Sequence, residues 1–549
     1  MRATGGMTLA SRVGGLVRDV IVGRIFGDTA IGSAFASGFA IPNTFRRLFG
    51  EGALTAAFIP AYTELHKSDP KAADKLASLT VAVLGLVTGA ITLGIEIVLL
   101  AVILAAPQDA DRALSLKLMM VMLPFMPLIC VVAILAGMLQ VHGRFGTAAS
   151  GPVILNTFIV GVGAWCLFTG RLAGENVAYL LGLATVLSGA TQCLWFAWIL
   201  RGEVEWTRAW EEAKPRAREV LKKFIPAAVG LGTLQVNAYV DQLITMWPIW
   251  VGPTILGHSY PLTKASGIII ALTTRLYQFP LGVFGIAIAS AVFPLLARHA
   301  DEPDHFIDTL RRGLRMSLFI GLPATVGLML VREDAVAVLF GHGKTGWSRE
   351  SLGASADVLF GFAAGVWAYS LNHVLTRAFY ACKDTRTPMR VALAMVGLNF
   401  VLNVTLIWRL REAGLAWSTA IAAIVQTFVL GILVRRMLIA RGMHGGRGEG
   451  LFDAHAWRAV VKIVAASGVM GGVVLLVMHW VPGGGGSDSP LTGSGLWPGL
   501  RSEWTWQLVR VGIACGVGGG SYVIAARVLG LAELRWLMHR GGGKAVDGE

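Results

Sequence analysis

Charged residues are scarce in this chain of 549 residues, where Asp, Glu, Lys and Arg together make up 15% of the sequence. Hydrophobic residues make up 55%, glycine occurs 68 times and the mean hydropathy is +0.64. A soluble globular domain typically has about 25% charged residues. This composition excludes a soluble globular protein and indicates one that crosses a membrane many times.

Acidic residues are the scarcer charges, because 33 Asp and Glu stand against 47 Lys and Arg, for a net charge of +14. A basic chain can bind nucleic acid, but Lys and Arg here fall mostly in short loops between apolar runs, with more of them on one side. This asymmetry is the positive-inside pattern. We therefore expect a multi-pass protein of a bacterial cytoplasmic membrane, with both termini cytoplasmic and no nucleic-acid partner.

Cysteine pairs and catalytic motifs are also missing. The five cysteines are scattered, and no CxxC pair or nearby His gives the spacing of a metal site. The loops contain no Walker A lysine, nucleotide fingerprint, Ser-His-Asp order or paired catalytic carboxylates. No pattern of a removable signal peptide precedes the first apolar run. We expect no cofactor, and a protein that moves a ligand rather than transforming it.

Apolar windows of about 20 residues, the length that crosses a bilayer, recur about fourteen times. The expected fold is therefore an all-α, polytopic membrane protein. The predicted spans are 8–27, 30–64, 78–106, 115–140, 148–169, 177–200, 220–247, 265–296, 314–331, 356–381, 389–408, 414–434, 458–480 and 505–530. The second of these is long, and we expect it to be tilted or to break at Pro42.

The chain also repeats itself. Similar motifs surround Pro60 and Pro294, which are 234 residues apart, and Asn156 and Asn399, which are 243 apart. The two similar offsets predict two six-helix repeats, a plan of transporters whose site lies between the halves. We expect an N-terminal lobe at 1–200, a polar cytoplasmic linker at 201–219, a C-terminal lobe at 220–437, and two appended helices with a cytoplasmic tail at 438–549.

Arginines lie well inside several of these spans. A charged side chain at the middle of a bilayer costs roughly 2.5 to 3.5 kcal/mol, so a group of them implies an anion or a water-filled cavity. One arginine alone would equally snorkel or form a structural ion pair, but three separate helices favour a shared anion. The planar guanidinium suits phosphate oxygens, so several together suit a diphosphate. The arginines are Arg12, Arg18, Arg46, Arg47 and Arg275.

Nearby acidic residues distinguish the arginines that are expected to pair within a helix from those that are expected to face a ligand. Arg47 and Glu51 are four residues apart and are expected to pair along the helix, which leaves Arg46 as the better candidate for an unpaired charge that faces a ligand. Arg12 and Asp19, seven residues apart, fall on nearly one helical face. No acid lies within a helical turn of Arg275.

A second group of polar residues also lies within predicted spans. It consists of Asp241 in the seventh, Asn399 and Asn403 in the eleventh, and Thr419 in the twelfth. Oxygen ligands of this kind suit Na⁺, and an intramembrane Asp can instead carry a proton. Buried Asn and Thr also cross-link helices by hydrogen bonds. Both interpretations stay open.

Four motifs resemble the MurJ (MviN) family of lipid II flippases, within the multidrug/oligosaccharidyl-lipid/polysaccharide exporter superfamily, over nearly the whole chain. They are SRVGGLVRDVIVGRIFG, IPNTFRRLFGEGALTAAFIPAYTE, RLYQFPLGVFGIAIASAVFP and AFYACKDTRTP. The resemblance implies two lobes around a V-shaped cationic cavity and two C-terminal helices that form a groove for a lipid tail. It implies that undecaprenyl-diphosphate disaccharide-pentapeptide (lipid II) moves from the cytoplasmic to the periplasmic leaflet by alternating access.

The resemblance also implies which residues bind the diphosphate. These are Arg12, Arg18, Arg46 and Arg275, with Asp19 beside them. The chain departs from many relatives where it has Ser33, Ala40 and Gln278 in place of charged residues, and Asn403 stands where some have an acid at the proposed ion site. These changes put in doubt a relay or gate that uses the missing acids, and they weaken the case for Na⁺.

We therefore expect a lipid II flippase of peptidoglycan synthesis that acts as a monomer, with peptidoglycan synthases as candidate partners, and that is reset by Na⁺ or H⁺ entry or by membrane potential. One alternative is an exporter of another polyprenyl-diphosphate glycan. An exporter of cationic drugs would need acids in the cavity rather than arginines. Another alternative is a membrane scaffold without transport, which would use the basic loops to recruit envelope enzymes. An enzyme acting on the lipid would need a catalytic group that the sequence does not show.

Overall fold

The computed structural model describes residues 2–47, 53–105, 108–170, 174–341, 346–441, 453–481 and 503–538, which are almost entirely helical. The helices are α1 (Arg2–Phe26), α2 (Ala30–Phe45), α3 (Ala53–Ser68), α4 (Pro70–Ala105), α5 (Ala110–Met122), α6 (Phe125–Val141), α7 (Phe145–Ala148), α8 (Gly151–Thr169), α9 (Glu175–Leu200), α10 (Lys214–Trp250), α11 (Ser266–Pro280), α12 (Ile286–Arg298), α13 (Pro303–Phe340), α14 (Arg349–Ala364), α15 (Val366–Ala381), α16 (Arg386–Leu410), α17 (Glu412–Ala440), α18 (Ala454–Trp480), α19 (Glu503–Val528) and α20 (Ala532–Met538). A short antiparallel hairpin, β1 (Thr254–Ile255) and β2 (His258–Ser259), follows α10. The predicted all-α class is confirmed.

Ten helical segments in the described part of the chain are long and apolar enough to cross a membrane. Two of them, Ala110–Val141 and Arg349–Ala381, each join two consecutive helices. The predicted spans outside these ten are 8–27, 30–64, 220–247 and 265–296. They include the helices that carry the candidate arginines and Asp241. The chain is a multi-pass membrane protein, and the number fourteen stays a prediction.

The second predicted span changes its helical geometry, but not at Pro42. Pro42 lies inside α2, which continues to Phe45, and Arg46 and Arg47 follow in a wider π-type turn. A proline lacks the N–H that a helix interior uses, so the ladder of hydrogen bonds is already weakened one turn before this change. The regular α-helical bonding therefore changes one turn after its proline, at the arginine pair.

The described residues form two compact units. The first runs to Leu272 and also includes Trp347, and the second begins at Thr273. The core of the first unit contains the buried aromatic residues Phe58, Tyr62, Phe125 and Phe196. Helix α10 belongs to this unit, where it packs against α3. The predicted lobe boundary at 201–219 describes the sequence repeat and stays a prediction.

The core of the second unit is built on α13. Helices α12, α15, α18 and α19 pack along it, with Phe306, Phe379 and Leu310 buried between them. The two C-terminal helices also attach to α13 through ion pairs, Arg311 with Asp453 at 2.9 Å and Arg510 with Asp334 at 3.0 Å. The C-terminal helices are thus part of the same hydrophobic core as α13.

The segment between α9 and α10 is bonded to the start of α4. The backbone N–H of Glu205 donates to Asp74 at 3.1 Å, and that of Thr207 donates to Ser78 at 3.1 Å. Lys75 pairs with Glu212. These bonds tie the polar segment to the first unit at three positions.

Candidate functional site

Arg18 is the best defined of the candidate arginines. It lies on α1, and its Nε and Nη2 donate to Asp19 Oδ1 at 2.9 and 2.8 Å. Its Nη1 donates to Asn156 Oδ1 on α8 at 3.1 Å, and its Cζ lies 5.5 Å from the centre of the Phe39 ring on α2. The side chains of Arg18 and Asp19 are 14% and 12% exposed. Three helices therefore hold one guanidinium in a fixed orientation.

Asn156 is a site residue that the sequence did not point to as one. Its Nδ2 donates to the carbonyl of Ser11 at 3.0 Å, while its Oδ1 accepts from Arg18. It lies so close to α1 that a Cβ at Gly14 would come within 3.3 Å of the amide. The sequence offered one indication, which is that Asn156 lies in a repeated motif and corresponds there to Asn399. Its role in fixing Arg18 depends on a contact across 138 residues.

Arg46, which the sequence predicted to be an unpaired charge that faces a ligand, makes a local hydrogen bond, and its role in ligand binding stays a prediction. Its Nε donates to Asn43 Oδ1 at 3.0 Å, one turn back in α2. The expected pair of Arg47 with Glu51 lies outside the described residues, because Glu51 does. Arg12 is half-buried on α1, six residues before Arg18 and therefore about 9 Å along the helix. Arg12, Arg18 and Arg46 all belong to the first unit.

Ser33 has a structural role. It is fully buried on α2, and its Oγ accepts from the backbone N–H of Ile268 at 3.0 Å. A Cβ at Gly267 would come within 2.9 Å of the Ser33 side chain. A small side chain at Ser33 therefore allows close packing of α2 on the start of α11.

Arg275 lies on α11 in the second unit, where its Nη1 donates to Gln278 Oε1 at 3.4 Å. The adjacent Tyr277 ring stacks on Phe362 at 4.6 Å between ring centres, which fixes this part of α11 against α14. The second unit has a further cation that the sequence analysis missed: Arg377 on α15, whose Cζ lies 5.2 Å from the Phe293 ring centre. Its place within the predicted span 356–381 was the available signal.

The candidate cation ligands of the second unit bond to one another. Asn403 Nδ2 donates to Asn399 Oδ1 at 2.9 Å, and Asn399 Nδ2 donates to Thr419 Oγ1 at 3.3 Å. Together they join α16 to α17, as the cross-linking interpretation expects. Asp241 lies on α10 in the first unit. Within the described residues, no group of three or more His, Cys, Asp and Glu has the arrangement of a metal site.

Comparison with known proteins agrees with the motifs. The family described as "Lipid II flippase MurJ" matches residues 22–491. A relative named "Probable lipid II flippase MurJ" from Vibrio cholerae is 30% identical over 491 residues, which cover 86% of this chain and 87% of that protein. One of the same name from Rhizobium tropici is 28% identical over 508 residues, which cover 90% and 89%.

Solved structures show the same fold. One described as "Lipid II flippase MurJ, inward closed conformation" aligns with a TM-score of 0.72 at 20% identity, covering 96% of this chain and 100% of that one. An inward-facing MATE family transporter of the MOP superfamily aligns with a TM-score of 0.63 at 13% identity, covering 79% and 95%. At these identities the likeness concerns the fold alone.

Proposed function

Because the chain belongs to the lipid II flippase MurJ family, we propose that it carries lipid II across the bacterial cytoplasmic membrane, from the inner to the outer leaflet. It is a transporter and not an enzyme. The cargo supplies the peptidoglycan layer, and both termini are cytoplasmic in this proposal. The protein acts as a monomer, with peptidoglycan synthases as the users of the translocated lipid.

The bonding of Arg18 carries the proposal. A guanidinium has five N–H donors, and Arg18 uses three of them on Asp19 and Asn156. The remaining two have no partner among the described residues. Because the bonds to Asp19 and Asn156 fix the plane of the guanidinium, these two donors are already oriented for oxygens of a diphosphate. Arg12, Arg46 and Arg275 are the further cations that would share its charge.

The transport step is alternating access around this bound diphosphate. The resident charges favour the loaded state, so a second free-energy source has to reset the cycle. Membrane potential or entry of a cation supplies it, since moving one charge across 100 mV is worth about 2.3 kcal/mol. Asn399, Asn403 and Thr419 would provide oxygens for Na⁺, with Asp241 as the acid. Dependence of translocation on a Na⁺ gradient, lost in Asp241→Asn, would support this site.

The proposal is tested by lipid II translocation in reconstituted vesicles. Arg18→Ala should lower the rate at least tenfold, because each lost charged hydrogen bond contributes about 1.5 to 3 kcal/mol. Arg46→Ala and Arg275→Ala should also lower it. The matched control is Arg435→Ala, which removes an exposed arginine of α17. Full activity in all three site variants would overturn the proposal.

Complementation separates transport from a scaffold. A bacterium depleted of its own flippase should be rescued by the wild-type chain and by Arg435→Ala, but not by Arg18→Ala. A scaffold that acts through its basic loops predicts the reverse. Translocation of polyprenyl-diphosphate glycans other than lipid II, at an equal rate, would favour the related exporter instead.

A further inference from the structure

Helix α4 has one charged residue in a long uncharged stretch. From Leu79 to Ala105 the only charge is Glu96. Glu96 lies nine residues before the end of α4, which is about 14 Å along the helix axis. The hydrocarbon core of a bilayer is about 30 Å thick. A helix that leaves the hydrocarbon at Ala105 therefore places Glu96 near its centre.

The surroundings of Glu96 are open rather than packed inside the protein. Only 11% of the apolar window of α4 is buried. Leu93 on the same face is 62% exposed, Leu100 is 47% exposed, and Glu96 itself is half-buried. Glu96 therefore borders an open surface of α4, and such a surface on a spanning helix is expected to meet lipid.

No hydrogen bond or ion pair joins Glu96 to another described residue. A glutamate side chain is too short to snorkel over this distance as Lys and Arg do. Protonation does not remove the difficulty, because a glutamate in water at pH 7 is protonated in only about one molecule in 500. Charged or neutral, Glu96 is unfavourable in lipid alone and would gain from a donor that reaches it through the bilayer.

The spacing on this face is that of a helix-packing seam. Leu86, Gly89, Leu93, Glu96 and Leu100 follow one another at intervals of three, four, three and four residues, as the inward positions of a left-handed helix pair do. We call these five residues the α4 seam. Leu86 is 69% exposed, and a Cβ at Gly89 would meet no atom within 4 Å. A glycine at such a position lets a second helix backbone approach closely.

We propose that the α4 seam binds a transmembrane helix of a partner protein, which places a Lys or Arg side chain against Glu96. The apolar seam residues supply the packing surface, and the carboxylate selects a helix with a cation at the matching depth. This interaction is independent of the arginine site, because Glu96 takes no part in the proposed binding of the diphosphate.

The experiment uses the full chain in nanodiscs with a synthetic transmembrane peptide of Leu and Ala. The peptide carries one central Arg and a photoreactive side chain one turn away, and the cross-linked residues are mapped by mass spectrometry. The Arg peptide should cross-link to α4 about tenfold more than the same peptide with Leu at its centre, which corresponds to about 1.4 kcal/mol. Equal yields from the two peptides would overturn the proposal.

Variants of Glu96 make the test specific. Glu96→Leu should remove the preference for the Arg peptide, and Glu96→Lys should transfer it to a peptide with a central Glu. Glu205→Gln, a change in the exposed segment after α9, should leave it unaltered. A preference for the Arg peptide that survives in Glu96→Leu would refute the role of the carboxylate. Lipid II translocation should be unchanged in Glu96→Leu, so its loss would count against the proposal that this face is separate from transport.

Discussion

The short C-terminal helix α20 is attached to α13 by a buried ion pair. Breaking this ion pair should release α20 from α13. Glu533 is fully buried, and its Oε1 lies 2.5 Å from Nη2 of Arg315, which is 10% exposed. Trp536, one turn further along α20, covers the same guanidinium at 5.1 Å from its ring centre. The change we consider is Glu533→Ala, which leaves Arg315 buried without its carboxylate.

The expected loss of stability follows from the burial of the Arg315 charge. Removing one partner of a buried pair costs about 3 to 5 kcal/mol, because the other charge stays buried and uncompensated. Each 1.4 kcal/mol changes an equilibrium constant tenfold. The equilibrium between docked and undocked α20 should therefore shift by at least about 100-fold toward the undocked state. Replacing both partners together, Arg315→Met with Glu533→Leu, should restore most of the stability, because an apolar pair of similar volume is often as stable as the ion pair.

Amide hydrogen exchange across α20 measures this equilibrium directly. In Glu533→Ala the protection of α20 should fall about 100-fold and recover in the double variant. The matched control is Glu350→Ala, which breaks the exposed pair with Arg411, whose two side chains are 74% and 46% exposed. Exposed pairs contribute about 1 kcal/mol or less. If Glu533→Ala and Glu350→Ala change local protection equally, burial does not determine the strength of the α20 attachment.

Two further predictions concern packing and pH. Gly414→Ala would place a Cβ 2.8 Å from the backbone of α16, so it should destabilise the protein by about 1 to 3 kcal/mol. The control is Gly431→Ala on the same helix, where the added Cβ meets nothing within 4 Å and should be neutral or stabilising. Melting temperatures of the two variants in detergent test the difference. Burial lowers the pKa of His142 below 6.5, and a hydrogen bond from Arg144 lowers the pKa of Glu203. The unfolded state then binds more protons, so the folded protein should be most stable above pH 6.5 and lose stability as the pH falls. Melting temperatures in detergent at pH 7.5 and 5.5 check this, and His142→Gln should reduce the difference.

The class of the protein and its strongly apolar spans could be predicted from the sequence, because a bilayer imposes one length and one composition on every spanning helix. Side-chain partners could not. The helical repeat places Arg12 and Asp19 on one face, and the structure also bonds Asp19 to its neighbour Arg18. A long arginine side chain can turn back to the adjacent residue, so helical periodicity predicts the direction of Cβ but not the position of the guanidinium. The partner on α8, Asn156, depends on tertiary packing.

The same limit applies to the isolated charges. Hydropathy finds α4 as a strongly apolar helix because one Glu in a long window hardly lowers the mean, and it gives no sign that Glu96 lies on the exposed face. Arg377 is missed for the same reason within the span of α14 and α15. Depth and surroundings decide what such a residue costs, and only the packed helices show the surroundings.

The helices that fall short as membrane spans carry the proposed binding site, and this has a physical reason. Helices α4, α13 and α17 each contain a long apolar window, whereas α1, α2 and α11 do not qualify as spans, and Arg18 and Arg275 lie on α1 and α11 and Arg46 directly after α2. A helix pays for each such charge unless neighbouring groups satisfy it. Asp19 and Asn156 do so for Arg18, and Asn43 accepts a hydrogen bond from Arg46. Contacts of this kind, which a mean hydropathy does not register, therefore allow α1 and the end of α2 to keep arginines that an isolated spanning helix would exclude.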